Sequence, residues 1–302
     1  MDWRGLWTGT TGQNMTDRDV SNLTLFGTDR TRLFRKQVTC RAVLPKDLPN
    51  KADPDHTQGR SQRQENNLNA AISKAADVTV VAVCNGVEVL AAPHIGDGMI
   101  SSMQVGRYEG TELSIGLAVI PQGARILEMG AGSGLVGAVL ARNCNPKSVL
   151  SIEANPDLIA SINALYLHNG LSDIISVMNK VVLTDPDAPS EIEFFVRGNF
   201  LGSSLIDSGR RTRAVTVPVL RYDALCEAYP HDTIMMDIEG GELTFLRHAD
   251  LSQINLFIAE MHRDVYGREG LRECRSLLQR AGLTFCEAHS RRGVHVYQRL
   301  NE

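Results

Sequence analysis

The sequence lacks the patterns that mark several classes of protein. None of its six cysteines belongs to a CxxC pair or lies at a spacing to histidine that is typical of a zinc site. Basic residues form no long run, and 31 basic and 35 acidic residues give a formal net charge of −4. A nucleic-acid partner is therefore not indicated, because proteins that bind a phosphate backbone carry clustered positive charge.

Long apolar runs are also absent. The N-terminal residues contain no apolar signal core, and no segment is apolar over the roughly 20 residues that cross a membrane. We therefore expect a cytoplasmic protein without a membrane partner. The remaining composition suits a chain with a full core, since 43% of the 302 residues are hydrophobic.

The stretch from Arg125 to Asn155 has the pattern of half a nucleotide-binding α/β unit. It predicts a strand over 125–129, a glycine-rich turn, a helix over 135–142 and a second strand over 148–152. Glycine adopts positive φ and leaves no Cβ between the chain and a ligand. The following helix presents free N–H groups to an anion, and ligands bind such units at the carboxyl ends of the strands.

One cofactor that fits this turn is a dinucleotide. Gly132, Gly134 and Gly137 satisfy the GxGxxG pattern of dinucleotide sites. Glu153 follows Gly134 by 19 residues, as an acid that binds ribose would. An NAD(P)-dependent oxidoreductase is therefore one interpretation.

The other cofactor is S-adenosylmethionine (SAM). Glu128 precedes Gly130, Gly132 and Gly134 in a pattern typical of SAM sites, where the acid helps to orient the methionine part. Glu153 would then accept hydrogen bonds from both ribose hydroxyls, because a carboxylate has two oxygens. Two carboxylates at adjacent strand ends serve no purpose in packing, so a turn without a ligand is the weaker interpretation.

The N-terminal part differs in composition from the rest. Residues 45–67 are polar and contain several prolines, which marks a linker or mobile loop. We predict a partly mobile N-terminal extension over residues 1–70 and a single α/β domain over residues 71–302.

The segment after the second strand predicts a helix with Asn155 as its N-cap, ahead of a proline. A third strand follows over 174–177 or 181–183. Its end would face the adenine in a doubly wound sheet. Asp185 is therefore either an adenine contact or an ordinary turn residue.

A second group of candidate functional residues follows a strand that we predict to be buried, over 233–236. Asp237, Glu239 and Glu242 lie within six residues, with Gly240-Gly241 among them. Three acids at the end of a strand are costly unless they meet a cation, a ligand or hydrogen-bond donors. The sulfonium of SAM is such a cation, so we interpret this segment as functional.

The last strands carry further candidates. A strand over 254–259 ends at Glu260 and His262, whose side chains point the same way on an extended backbone. A histidine there has the ordinary pKa of a general base. The strands over 284–287 and 294–299 have no helix between them and must be antiparallel. That ending is typical of SAM methyltransferases and unusual in dinucleotide-binding sheets.

Together these stretches resemble the FkbM family of class I SAM-dependent methyltransferases. The resemblance covers about residues 98–290 in the expected order. Glu128 stands where the family more often has aspartate, and residues 1–70 match nothing in it. The stretches that carry the resemblance are GRYE (106–109), ILEMGAGSG (126–134), SIEANP (151–156), LHNG (167–170), GSSL (202–205), VLRYDAL (219–225), IMMDIEGGELTFL (234–246) and IAEMH (258–262).

The resemblance implies an α/β, Rossmann-like class I methyltransferase sheet with an antiparallel C-terminal strand pair. It implies methyl transfer from SAM to a hydroxyl of a small-molecule acceptor such as a sugar or another secondary metabolite. We predict His262 as the base, with Glu260 or Asp237 orienting or replacing it. Asp237 and Glu239 could instead hold Mg²⁺, which would lower the pKa of the hydroxyl. The residues predicted to bind SAM are Glu128, Gly130, Gly132, Gly134, Glu153, Asn155, Asp185 and Asp237.

Three alternatives stay open from the residues. N-methylation of an amide or amine fits the same site. The acidic 237–242 segment and the antiparallel ending argue against the NAD(P)-dependent oxidoreductase. Intact acids at three strand ends argue against a non-catalytic protein of the same fold.

Overall fold

A computed structural model describes residues 79–197 and 212–300. The predicted N-terminal extension, its boundary near residue 70 and the GSSL stretch at 202–205 lie outside the described residues. The predicted domain division therefore stays a prediction. None of the helices in the described ranges has the length and apolar character that a membrane span requires.

The described ranges contain twelve strands. The first two form a hairpin, and the last two form the predicted antiparallel pair. In chain order, the strands are β1 (Val80–Cys84), β2 (Val87–Leu90), β3 (Arg125–Met129), β4 (Ser148–Glu153), β5 (Ile175–Asn179), β6 (Val181–Leu183), β7 (Glu191–Arg197), β8 (Thr212–Arg221), β9 (Thr233–Met236), β10 (Leu256–Glu260), β11 (Thr284–Phe285) and β12 (Val294–Gln298).

The helices alternate with the strands of the main sheet, as expected for βα units. The helices are α1 (Asp97–Gln104), α2 (Gly110–Val119), α3 (Leu135–Asn143), α4 (Ile159–His168), α5 (Tyr222–Ala228), α6 (Glu242–His248) and α7 (Arg263–Arg280).

A seven-stranded sheet in the order β11-β12-β10-β9-β3-β4-β5 forms the centre of the domain. The five strands from β10 to β5 in this order are parallel, whereas β12 runs antiparallel to both β10 and β11. Central strands such as β9 are buried along their whole length, because helices cover both faces of a parallel sheet. The predicted Rossmann-like sheet with an antiparallel C-terminal pair is confirmed.

A smaller sheet lies beside the main one. Its order is β6-β8-β7, with β6 parallel to β8 and β7 antiparallel to β8. The side chains of Phe194, Val196 and Val217 are buried between this sheet and its neighbours. This small sheet supplies one wall of the cavity described below.

One local prediction was wrong, and the structure decides between the two alternatives of another. Asn155 does not cap α4, which begins at Ile159 after Leu158. The Asn155 side chain instead accepts a hydrogen bond from the N–H of Asp157 at 3.1 Å, and this turn competes with the helix. Both segments proposed for the third strand are strands, but only β5 joins the main sheet. Asp185 therefore follows a strand of the small sheet and not the third core strand.

Candidate active site

A cavity of about 390 Å³ lies at the carboxyl ends of β3, β4 and β9. This is the edge at which parallel α/β sheets bind ligands. Two of the residues predicted to bind SAM, Gly134 and Asn155, do not line the cavity. Those that line it are Glu128, Gly130, Gly132, Glu153, Asp185 and Asp237.

The glycine turn brings the ends of two strands into contact. Gly130 has a φ of 86°, and a Cβ at this position would lie 1.7 Å from the carbonyl oxygen of Asp237. Gly134 has a φ of 78°, and a Cβ there would lie 2.9 Å from the Ile162 side chain. Both positions therefore require glycine, the first for the site and the second for helix packing.

Glu128 lies beneath the glycine turn. Its carboxylate accepts a short hydrogen bond from the Ser151 hydroxyl, which is 3.0 Å from the Tyr166 hydroxyl. A Cβ at Gly137 would lie 2.3 Å from the Glu128 carboxylate, so the third glycine of the GxGxxG pattern makes room for this acid. Burial raises the pKa of Glu128 to about 8, which favours its protonated form at neutral pH.

Glu153 closes β4 with both carboxylate oxygens engaged. One oxygen accepts a hydrogen bond from the Gly132 N–H and the other from the Asn155 N–H, each at 2.7 Å. The residue is 6% exposed, and burial raises its pKa to about 7. Each oxygen keeps a second lone pair, so the carboxylate can still accept bonds from ligand hydroxyls.

The acids after β9 and β10 converge on one histidine. The Nδ1 atom of His262 lies 3.0 Å from the Glu242 carboxylate, which is fully buried. Its Nε2 atom lies 3.5 Å from Glu239 and 3.7 Å from Asp237. The N–H of Gly240 also donates to Glu242, at 3.1 Å, so the Gly240-Gly241 turn helps to hold the acid that orients the ring.

This cluster shifts the pKa of its members. Burial raises the pKa of Asp237 well above its ordinary value, and the Glu260 charge adds to this effect. Burial also raises the pKa of Glu260, with a further contribution from Glu112. Burial alone would lower the pKa of His262, but the bond and charge of Glu242 and the other acids raise it. An excess of negative charge therefore surrounds the imidazole.

The same residues have the arrangement of a possible metal site. Asp237, Glu260 and His262 each offer one ligand atom, and these atoms lie within 4.8 Å of one another. Carboxylate oxygens and imidazole suit several divalent ions. Of the predicted pair, Asp237 belongs to this set and Glu239 does not.

Two further acids line this site. The residues singled out from the sequence include Glu109 only as part of the GRYE stretch and do not include Glu112. Glu109 and Glu112 both line the cavity, at the start of α2. The hydroxyl of Tyr108 donates a hydrogen bond to Ser133 in the glycine turn at 3.2 Å, which fixes this segment over the site. The sequence carries no signal for the burial of Glu112, because an acid in the first turn of a helix is common.

The family comparison defines the class of protein. A family model described as the methyltransferase FkbM domain matches residues 128–285. The protein is thus a SAM-dependent methyltransferase, and the chain belongs to the FkbM methyltransferase family. The family prediction, the enzyme class and SAM as cofactor are therefore confirmed. A search of curated proteins gives no match.

The chain is also weakly similar to several solved structures. TYW2 from M. jannaschii, solved in complex with AdoMet, is 12% identical over 71% of this chain and 84% of its own, with a TM-score of 0.38. Trm5b from Pyrococcus abyssi is 15% identical over 73% of this chain and 54% of its own, with a TM-score of 0.38. The precorrin-6y C5,15-methyltransferase from Geobacter metallireducens is 9% identical over 65% of this chain and 89% of its own, with a TM-score of 0.38.

Proposed function

We propose that this methyltransferase acts on a hydroxyl group of a small molecule, such as a sugar or another secondary metabolite. The observation that carries the proposal is the orientation of His262 by the buried Glu242. A base held by a second group, next to the cofactor cavity, suits an acceptor that must lose a proton.

The cavity residues fit SAM. Asp237 has a buried carboxylate oxygen, Oδ1, with no hydrogen-bond partner among the described residues, as expected for an atom that awaits a ligand. Glu153 would bind the ribose hydroxyls, and Gly130 and Gly132 would let the ligand approach the backbone. When bound, SAM supplies an electrophilic methyl group. The protein then has to position the acceptor oxygen and remove its proton.

His262 would remove that proton through Nε2. With the proton of the neutral ring on Nδ1, which faces Glu242, Nε2 would be the basic atom directed towards Asp237 and Glu239. These acids raise the pKa of the free imidazole. A positive charge bound among them would oppose that effect and favour the neutral ring that a base requires. Glu260 would assist by its charge or replace the imidazole as proton acceptor.

The need for a base favours oxygen over nitrogen as the acceptor. A neutral amine attacks with its own lone pair and can lose its proton after transfer. An alcohol is a weak nucleophile until its proton is removed, so it depends on a positioned base. N-methylation is therefore the second candidate.

The test is transfer of a ¹³C-labelled methyl group from SAM to panels of alcohols and of matched amines. NMR of the product distinguishes an O-methyl carbon from an N-methyl carbon. We expect O-methyl products, and their formation should fall strongly in the His262→Asn variant. Products with N-methyl groups alone would contradict the proposed acceptor class while leaving the cofactor unaffected.

A further inference from the structure

Two acids at the start of α2 face the cavity without a basic partner. Glu112 is 7% exposed, and among the described residues it makes no hydrogen bond or ion pair. The charged groups that interact with Glu112 are two further acids, Glu109 and Glu260. An acid that is largely buried, lines a cavity and has other acids as its charged neighbours favours a cationic ligand there.

These acids lie beside the glycine turn. The bond from Tyr108 to Ser133 ties the segment before α2 to that turn. Glu109 lines the same cavity as Glu239, and the charges of Glu239 and Glu260 both act on it. Glu153 ends β4, on the other side of β3 from those strands.

We propose that Glu112 and Glu109 bind the α-ammonium group of the amino-acid part of SAM. This inference rests on SAM as the cofactor and on ribose binding at Glu153. With the ribose at β4, the amino-acid part would extend towards β9 and β10. Its carboxylate would suit the positive end of the α3 helix dipole, and its ammonium would suit the two carboxylates.

Other cations fit these acids less well. The metal-ligand set consists of Asp237, Glu260 and His262 and leaves out both acids of α2. Lys180 is the only lysine or arginine among the described residues that line the cavity. Its backbone N–H bonds to the carbonyl of Glu153 at 3.2 Å, at the ribose end. No described lysine or arginine of the cavity wall therefore neutralises Glu112.

The test compares two thioethers, so that the sulfonium charge plays no part. S-adenosylhomocysteine has the amino-acid part, whereas 5′-methylthioadenosine lacks it. Isothermal titration calorimetry on the full chain should show that Glu112→Gln weakens S-adenosylhomocysteine and SAM by about tenfold, which is typical for loss of a bond between charged groups. Binding of 5′-methylthioadenosine should not change.

Two controls separate binding from folding. Glu227→Gln alters an exposed acid on α5 and should leave both affinities unchanged. Glu112→Gln removes a buried charge, so the ligand-free variant should unfold at the same temperature as the parent or higher. The same variant should gain less from added SAM in a thermal shift experiment.

Unchanged binding of S-adenosylhomocysteine to Glu112→Gln would overturn the inference. Equal loss of both thioethers would also overturn it, because the effect would then not depend on the amino-acid part. If the parent protein bound neither SAM nor S-adenosylhomocysteine, the cofactor itself would be wrong, and the inference would fail with it.

Discussion

The backbone carbonyl of Asp237 occupies the space that a side chain at Gly130 would fill. A Cβ on Gly130 would lie 1.7 Å from that oxygen. The N–H of Asp237 also donates to the Met129 carbonyl at 2.9 Å. The glycine turn and the acidic segment after β9 are therefore one structural unit, although more than 100 residues separate them in the chain.

The Gly130→Ala variant should lose both stability and SAM binding. The new methyl group meets backbone and not a flexible side chain, and the positive φ adds roughly 1 to 2 kcal/mol of strain. Thermal unfolding and titration with SAM measure the two effects. Gly98→Ala is the matched control, because nothing lies within 4 Å of a Cβ there and the residue is helical. A Gly130→Ala variant that unfolds and binds SAM like the parent would contradict the contact.

Glu128 should make the protein less stable as the pH rises. Its pKa is about 8 in the folded protein against an ordinary 4.5, so between these values the folded form keeps a proton that the unfolded form has lost. The free energy of unfolding should therefore fall by roughly 2 kcal/mol between pH 6 and 8. Chemical denaturation across this range measures the loss.

The Glu128→Gln variant should flatten this pH dependence, because its amide stays neutral and can still accept the Ser151 bond. The exposed Glu191→Gln variant is the control and should follow the parent curve. Glu153 has a raised pKa as well, so some slope should remain. An identical slope in the parent and in Glu128→Gln would show that Glu128 is not the group responsible.

His262 as the base predicts a rate that rises with pH. The surrounding acids raise its pKa, so the neutral imidazole becomes more abundant as the solution becomes more alkaline. Glu242→Gln should shift this rise to lower pH, because it removes the charge that holds the proton. His262→Asn should cost about 10² to 10⁴ in kcat and abolish the rise. A Glu242→Gln profile that coincides with that of the parent would exclude this role.

Removal of divalent metal separates the base from a metal mechanism. If His262 acts as the base, dialysis against a chelator should leave kcat unchanged. Loss of activity that Mg²⁺ or Mn²⁺ restores would instead make Asp237, Glu260 and His262 metal ligands. The exposed Asp157→Asn variant should respond to the chelator as the parent does.

Much of the fold could be predicted because its signals are local. The strand before Gly130, the strand before Asp237 and the antiparallel pair at the end of the chain's described part each follow from a short pattern. The separation of β5 from β6 could not be predicted, because it depends on pairing between β6 and β8, far along the chain. Glu112 was missed for the same reason, since its burial depends on elements outside its own helix.

SAM binding to the full chain tests the central claim most directly. Glu153 should be essential, because its carboxylate is the one expected to bind the ribose, whereas the exposed Asp157 should not matter. Isothermal titration calorimetry should show SAM binding to the parent and to Asp157→Ala, and its loss in Glu153→Ala. Binding of NADH or NADPH without binding of SAM would contradict the account.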